Sequence, residues 1–355
     1  MALLRRSSKA VSGLSVPPPR PAEVLRRHHG ILRLASALPT PCHWVLAGGG
    51  AHGAVQLGTL QALRETDLVS DQLVGSSAGA LTGALIAEDP VAAPSRLGYL
   101  WSGLELPDLI PQGWLGMVKP SNVSKPALAD SSAVLATFER VYRARDFDEL
   151  VLPLVAVATD LDSGQPAALD RGDLLQALLA SSAIPGVFPP VRIDGRWYID
   201  GLASANLPAA VAVARGARSI VVLDTGSSAA RPVGTSLAQV VPAINAMLTA
   251  QQRVTSLVAA ASEVPVLYLP TPTGLSGALN FADSVASARQ AYELGQGFLI
   301  DLTRSVGRGH LPPGLYARPD AFVGGVGALQ DLLRPVEVGE SARPSAEQPS
   351  DEAVK

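Results

Sequence analysis

Four runs along the chain are largely apolar, "HWVLA" (43–47), "VLPLVAVATDL" (151–161), "SIVVLD" (219–224) and "VPVLYL" (264–269), and "DQLVG" (71–75) reads as a further short strand. Unbroken apolar runs, rather than alternating ones, mark strands that are buried on both faces. The stretches between them carry helical spacing. Residues 51–65 put Leu57, Leu60 and Leu63 on one side of a helix. "SSAGALTGALIAE" (76–88) predicts a helix of small residues and leucines, and 236–262 and 282–303 predict long helices. Strands alternating with helices predict an α/β fold: a three-layer sandwich whose mainly parallel central sheet has helices on both faces. "VRIDGRWYID" (191–200) breaks the pattern. Asp194-Gly195 between two short β-like runs is a type I′ hairpin signal, and the hairpin ends on Asp200-Gly201.

Composition sets the scale. With 355 residues, 47% hydrophobic and 17% charged, the chain can bury a sizeable core in one large domain. Residues 1–41 predict a basic, disordered arm: residues 1–43 hold seven Lys/Arg against one acid, Glu23. The arm's sharper reading is a weak anchor to a membrane surface. Residues 42–303 predict the folded domain, with its motif-bearing core at about 44–208. Residues 95–148 read as a helical cap inserted into it, apolar through Trp101, Trp114 and Met117, and forming either an acyl-chain groove or membrane-touching lid, or the packed core of a small cap. Residues 304–355 are expected to be loop-rich and then disordered. A basic stripe on the folded part, which nucleic-acid binding would want, is missing: the whole chain is at −3 and the basic cluster sits in the arm. The single cysteine, Cys42, permits no disulfide within one chain and fits a reducing compartment. Without an apolar run of 18 residues or a signal-type h-region, the expected location is cytoplasmic, with peripheral membrane contact. Oligomeric state is not legible.

Two glycine motifs sit at strand ends. "GGGAHG" (48–53) follows the first strand, and Gly48, Gly50 and Gly53 spell G-x-G-x-x-G, the dinucleotide fingerprint. A dinucleotide-binding oxidoreductase would also want an acid at the end of the second strand. Asp71 has the separation but precedes that strand, whose end is "GSSAG" (75–79) instead. Here Ser77 stands between Gly75 and Gly79 on a strand-to-helix turn, where a nucleophile needs a strained backbone and small neighbours. Serine requires a base. Of the five histidines only His310 follows Ser77, so a triad would rest on that loop residue. The other candidate is Asp200, at a hairpin end before Gly201, which acts directly if burial holds its pKa up.

"GGGAHG" (48–53), "GSSAG" (75–79) and "DGL" (200–202), in that order, resemble the oxyanion loop, nucleophile elbow and D-G-G/A motif of the patatin-like phospholipases. "VAVATDLDSGQP" (155–166) and "ASSAIPGVFPPV" (180–191) are similar to the family's linking blocks. The resemblance covers roughly 42–303. It implies a lipid acyl ester hydrolase of phospholipase A or lysophospholipase type, working without metal or nucleotide. It implies Ser77 as nucleophile, Asp200 as general base, and the backbone N–H groups of Gly49, Gly50 and Ala51 as the oxyanion hole. Two positions depart from the family pattern. His52 stands where Arg or Lys is usual, and Leu202 where Gly or Ala is usual. A non-catalytic lipid-binding protein on the same fold is the alternative these departures keep open.

Overall fold

A computed structural model describes residues 34–103, 131–226, 237–275, 280–306, 309–318 and 336–337. The readings of the N-terminal arm, of most of the cap (104–130, including Trp114 and Met117) and of the last residues lie outside these. The described chain forms an α/β fold around a ten-stranded sheet. Strands β1 (Cys42–Leu46), β2 (Gln72–Ser76) and β3 (Leu154–Asp160) occupy the middle. Beyond β1 lie β7 (Ser219–Leu223), β8 (Pro265–Tyr268), β9 (Gly314–Ala317) and β10 (Val336–Glu337). All seven run parallel. The hairpin β5 (Val191–Ile193) and β6 (Arg196–Asp200) and the short β4 (Pro166–Leu169) are antiparallel additions next to β3. Asp194 and Gly195 both take positive φ, 48° and 85°, as a type I′ turn requires.

The strands' odd and even side chains feed two separate cores. On one face Trp44, Leu46, Leu73, Leu154 and Leu223 pack under helices α1 (Gly53–Leu63), α2 (Ala78–Glu88), α3 (Ala93–Gly103), α4 (Ser132–Val141), α5 (Leu174–Ser181) and α9 (Ser284–Ser305). On the other, Val45, Val74, Val155 and Val222 pack under α7 (Ala209–Ala214) and α8 (Leu237–Glu263). The single turn α6 (Leu202–Ala205) leads from β6 to α7. Two buried faces explain why these strands read as continuous apolar runs. The expected one-sided character of α1 is not what forms. Ten of its eleven residues are buried, because α9 and α3 cover the side that the sheet does not.

One expectation is corrected at the edge. The region past 304 contributes β9 and β10 to the sheet rather than loop alone. β10 has two residues, and β9, though as long as β8, lacks a longer apolar run around it, with Pro312 and Pro313 before it and Arg318 after. Among the described residues no helix is long and apolar enough to cross a membrane.

The register of β3 decides which strand ends meet. Ala156 and Val157 have β2 on one side and β4 on the other, whereas Ala158 and Thr159 have β6 and β4. β6 therefore continues along the edge that β2 leaves at Ser76. The last β2 pair is Ser76 with Val157, and the next β3 residue, Ala158, pairs with Asp200. The sheet thus brings the end of β2 and the end of β6 together, tip to tip.

Candidate active site

Ser77 is the first residue past β2. Its backbone has φ 51° and ψ −123°, a left-handed conformation that non-glycine residues seldom adopt. The turn is held from several sides. Ser77 N–H donates to Ser181 Oγ (2.9 Å), and that hydroxyl donates to the Val157 carbonyl (2.7 Å). Gly75 and Gly79 face one another across the turn, and a Cβ on either would overlap backbone of the opposite limb or of β1. The side chain emerges toward β6, where Ser77 Oγ donates to Asp200 Oδ2 at 2.8 Å.

Asp200 is fully buried. Its other carboxylate oxygen accepts the Leu202 N–H at 2.8 Å. The backbone around it is fixed as well: Asp200 N–H donates to the Ala183 carbonyl, Gly201 N–H to the Ser181 carbonyl, and Thr159 Oγ1 to the Asp200 carbonyl. Gly201 lies so close to the Val157 carbonyl and Ser76 Oγ that no side chain fits there. Burial dominates the acidity of Asp200. It pushes the carboxyl up to about 7, against the smaller opposing pull of the Leu202 N–H and the Ser77 hydroxyl. The carboxylate thus titrates near neutrality and touches a serine hydroxyl.

The glycine loop closes the site from β1. Gly48 is locked on both sides: its N–H donates to the Asn206 carbonyl (2.9 Å), and its carbonyl accepts from Thr225 Oγ1 (2.8 Å). Gln56, on α1, donates its amide to the carbonyls of Ala47 and Leu223, tying the ends of β1 and β7. Gly50 takes φ 57°, which favours glycine there. Gly50–His52 make one 3-10 turn leading into α1. The N–H groups of Gly49, Gly50 and Ala51 donate to no group among the described residues.

Gly53, the last glycine of G-x-G-x-x-G, has a different task from the dinucleotide motif's third glycine. A Cβ there would run into the Trp101 ring of α3. Gly53→Ala is expected to cost about 1–3 kcal/mol, measured by urea unfolding, and Trp101→Leu in the same chain should recover most of it. Equal losses with and without Trp101 would show that the ring is not the obstacle.

The remaining candidates fall elsewhere. Leu202 leaves Asp200 in hydrogen-bond contact with Ser77, so its bulk does not displace the carboxylate. His52 is buried at the start of α1. His310 is exposed and precedes β9, and the next residue, Leu311, bonds the Ala37 carbonyl ahead of β1. That is the opposite end of the parallel strands from Ser77, so the Ser77–His310 triad is overturned. Asp71 also lies at that far end, where its carboxylate accepts the Cys42 N–H at 2.6 Å. The dinucleotide reading therefore lacks its acid. Among the described residues no group of three or more His, Cys, Asp or Glu could hold a metal ion.

Sequence reasoning missed Ser181, Thr225 and Asn206. Ser181 lies in the "ASSAIPG" block that carried part of the family resemblance, a usable signal. Thr225 and Asn206 carried none.

A patatin-like phospholipase family model matches residues 44–213. The chain is 31% identical over 208 residues to patatin-like phospholipase domain-containing protein 7 of Mus musculus, covering 57% of this chain and 15% of that protein. It is 32% identical over 216 residues to an NTE family protein of Mycobacterium tuberculosis, covering 60% and 55%. The matched part thus spans from about a seventh to about half the length of these relatives. Among solved structures, VipD from Legionella pneumophila aligns over 75% of this chain and 67% of its own, at TM-score 0.42 and 13% identity.

Proposed function

Because residues 44–213 of this chain belong to the patatin-like phospholipase family, we propose that it hydrolyses acyl ester bonds of lipids, with Ser77 as nucleophile and Asp200 as general base. The observation that carries the reading is the 2.8 Å hydrogen bond from Ser77 Oγ to Asp200 Oδ2. A serine hydroxyl is a weak nucleophile unless a base takes its proton during attack. Asp200 is the carboxylate in reach, and burial gives it a basicity that an ordinary aspartate lacks.

The steps follow from that contact. Ser77 Oγ bonds to the ester carbonyl carbon as its proton passes to Asp200. The carbonyl oxygen becomes an oxyanion, held by the N–H groups of Gly49, Gly50 and Ala51. Each such donor contributes about 2.7–4 kcal/mol of transition-state stabilisation. Collapse breaks the ester C–O bond, and the leaving alkoxide takes the proton from Asp200. Water then attacks the acyl-serine while Asp200 accepts its proton. The second collapse releases the fatty acid and returns the proton to Ser77. Phospholipids and lysophospholipids are the substrate classes we favour, met at a membrane surface. A screen of lipid classes, with Ser77→Ala as the blank, identifies the head group and the position cleaved.

The competing reading is a non-catalytic lipid-binding protein on the same fold. An alkyl fluorophosphonate separates the two. The wild-type chain should be labelled at Ser77 and should cleave a p-nitrophenyl acyl ester, whereas Ser77→Ala should do neither. A wild-type chain that binds lipid but takes no label would sink the hydrolase reading.

A further inference from the structure

A buried polar cluster lies beside the glycine loop and belongs to neither the nucleophile nor the base. Asp224 directly follows β7 and is fully buried. One of its carboxylate oxygens accepts from Tyr268 Oη at 2.5 Å and faces Arg253 Nε, on α8, at 3.2 Å. The other accepts the N–H of Thr225 at 2.7 Å. Thr225 is itself fully buried, and its hydroxyl donates to the Gly48 carbonyl. Its side chain also fills the space where a Cβ on Gly49 would stand.

A buried ion pair is a poor source of stability, because desolvation offsets the attraction. The cluster's position at the loop is therefore the informative fact. Gly48 has its N–H fixed by the Asn206 carbonyl and its carbonyl fixed by Thr225. With both sides of this residue held, the direction of the amides that come after it, at Gly49, Gly50 and Ala51, is set. We propose that Thr225 is a positioning residue for the oxyanion loop, held in place by the Asp224–Tyr268–Arg253 cluster. Thr225 touches no reacting atom. It acts by keeping the loop's donors where the oxyanion forms. Burial and the neighbouring carboxylate push the Tyr268 phenol upward, so its hydroxyl remains a donor to Asp224.

The inference rests on the Ser77–Asp200 reading, and the experiment separates the two. Full-length wild type, Ser77→Ala, Thr225→Val, Thr225→Ser, Asp224→Asn and the Thr225→Val/Asp224→Asn double variant are assayed on a p-nitrophenyl acyl ester. Each is held well below its melting temperature, and rates are taken per site labelled to completion by fluorophosphonate, except for Ser77→Ala, which takes no label and is read per mole of folded protein. Thr225→Val keeps the side chain's shape and loses its donor. It should lower kcat about 10–100-fold with KM within about threefold, the effect of a displaced donor set. Thr225→Ser restores the hydroxyl and should stay within about threefold of wild type. If Asp224 acts through Thr225, the double variant should be no slower than Thr225→Val alone. The proposal is overturned if Thr225→Val keeps wild-type kcat, if Thr225→Ser falls as far as Thr225→Val, or if the two single losses multiply. Should Ser77→Ala remain active, the parent reading falls and this one with it. An inactive Ser77→Ala beside a fully active Thr225→Val removes only this one.

Discussion

Asp200→Asn will abolish ester hydrolysis and make the folded chain more stable at alkaline pH. The loss of activity comes from the chemistry: an amide cannot take the Ser77 proton, and general-base catalysis of this kind is worth about 10²–10⁴-fold. The gain in stability comes from burial. In the fold the Asp200 carboxyl titrates at about 7 instead of the ordinary 3.8. Between those values the folded chain holds a proton that the unfolded chain has released, so stability falls as pH rises through the window. Above pH 7 the whole cost is present, on the order of 4 kcal/mol for about three pH units. Asparagine carries no charge to bury, and its carbonyl can still accept the Leu202 N–H. Urea unfolding should show Asp200→Asn more stable by about 2–4 kcal/mol at pH 9, the advantage shrinking toward zero near pH 4. In the wild type, kcat should rise through about pH 7 to a plateau as the carboxylate forms. A stability difference that is the same at both pH values would mean that the carboxyl is not held up by burial. A carboxyl kept at such a cost fits the role of base proposed for it.

The pair itself was legible in the sequence because the signals were local. A strand running into Gly-x-Ser-x-Gly announces a turn, and Asp194-Gly195 announces the hairpin that ends on Asp200. The runs gave five of the seven parallel strands within a few residues. What joins Ser77 to Asp200 was less visible. It depends on β6 taking over the edge of β3 where β2 stops, a register that no local pattern encodes. The supports were less visible still. Ser181 reaches Ser77 across 104 residues and Thr225 reaches Gly48 across 177. A serine or threonine at a strand or helix end has many ordinary uses, and only the folded chain shows which one applies. β9 and β10 escaped notice for another reason. β10 is too short to carry a period and β9 has no longer apolar run around it; β8 offers β9 an edge, and β9 offers one to β10.

Gly79→Ala should be among the most damaging single changes in the molecule, even though it adds only one methyl group. Gly79 opens α2 just past Ser77, where the helix lies against the end of β1. The added Cβ would overlap the carbonyls of Leu46 and Ala47. Those are backbone atoms of the last residue of a central strand, flanked by β2 and β7, and of the residue after it, whose N–H bonds the Leu223 carbonyl, so they cannot move aside as a flexible side chain would. The alternative is for α2 to lift, and lifting it pulls on Ser77 and on the partner glycine, Gly75. A loss of about 3–5 kcal/mol is expected, at the upper end for single substitutions, with fluorophosphonate labelling lost in whatever still folds. Gly83→Ala, one turn along the same helix, is the matched control. Its Cβ would meet side chains alone, with the tip of Leu154 nearest at 3.0 Å and Leu46 and Leu73 at ordinary contact distance. Replacing a mid-helix glycine with alanine gains up to about 1 kcal/mol in propensity. Gly83→Ala should therefore melt within a few degrees of wild type and label at Ser77 normally. If both variants behaved alike, the close approach of α2 to β1 would not be what the second glycine of the serine motif is for, and its place there would need another cause.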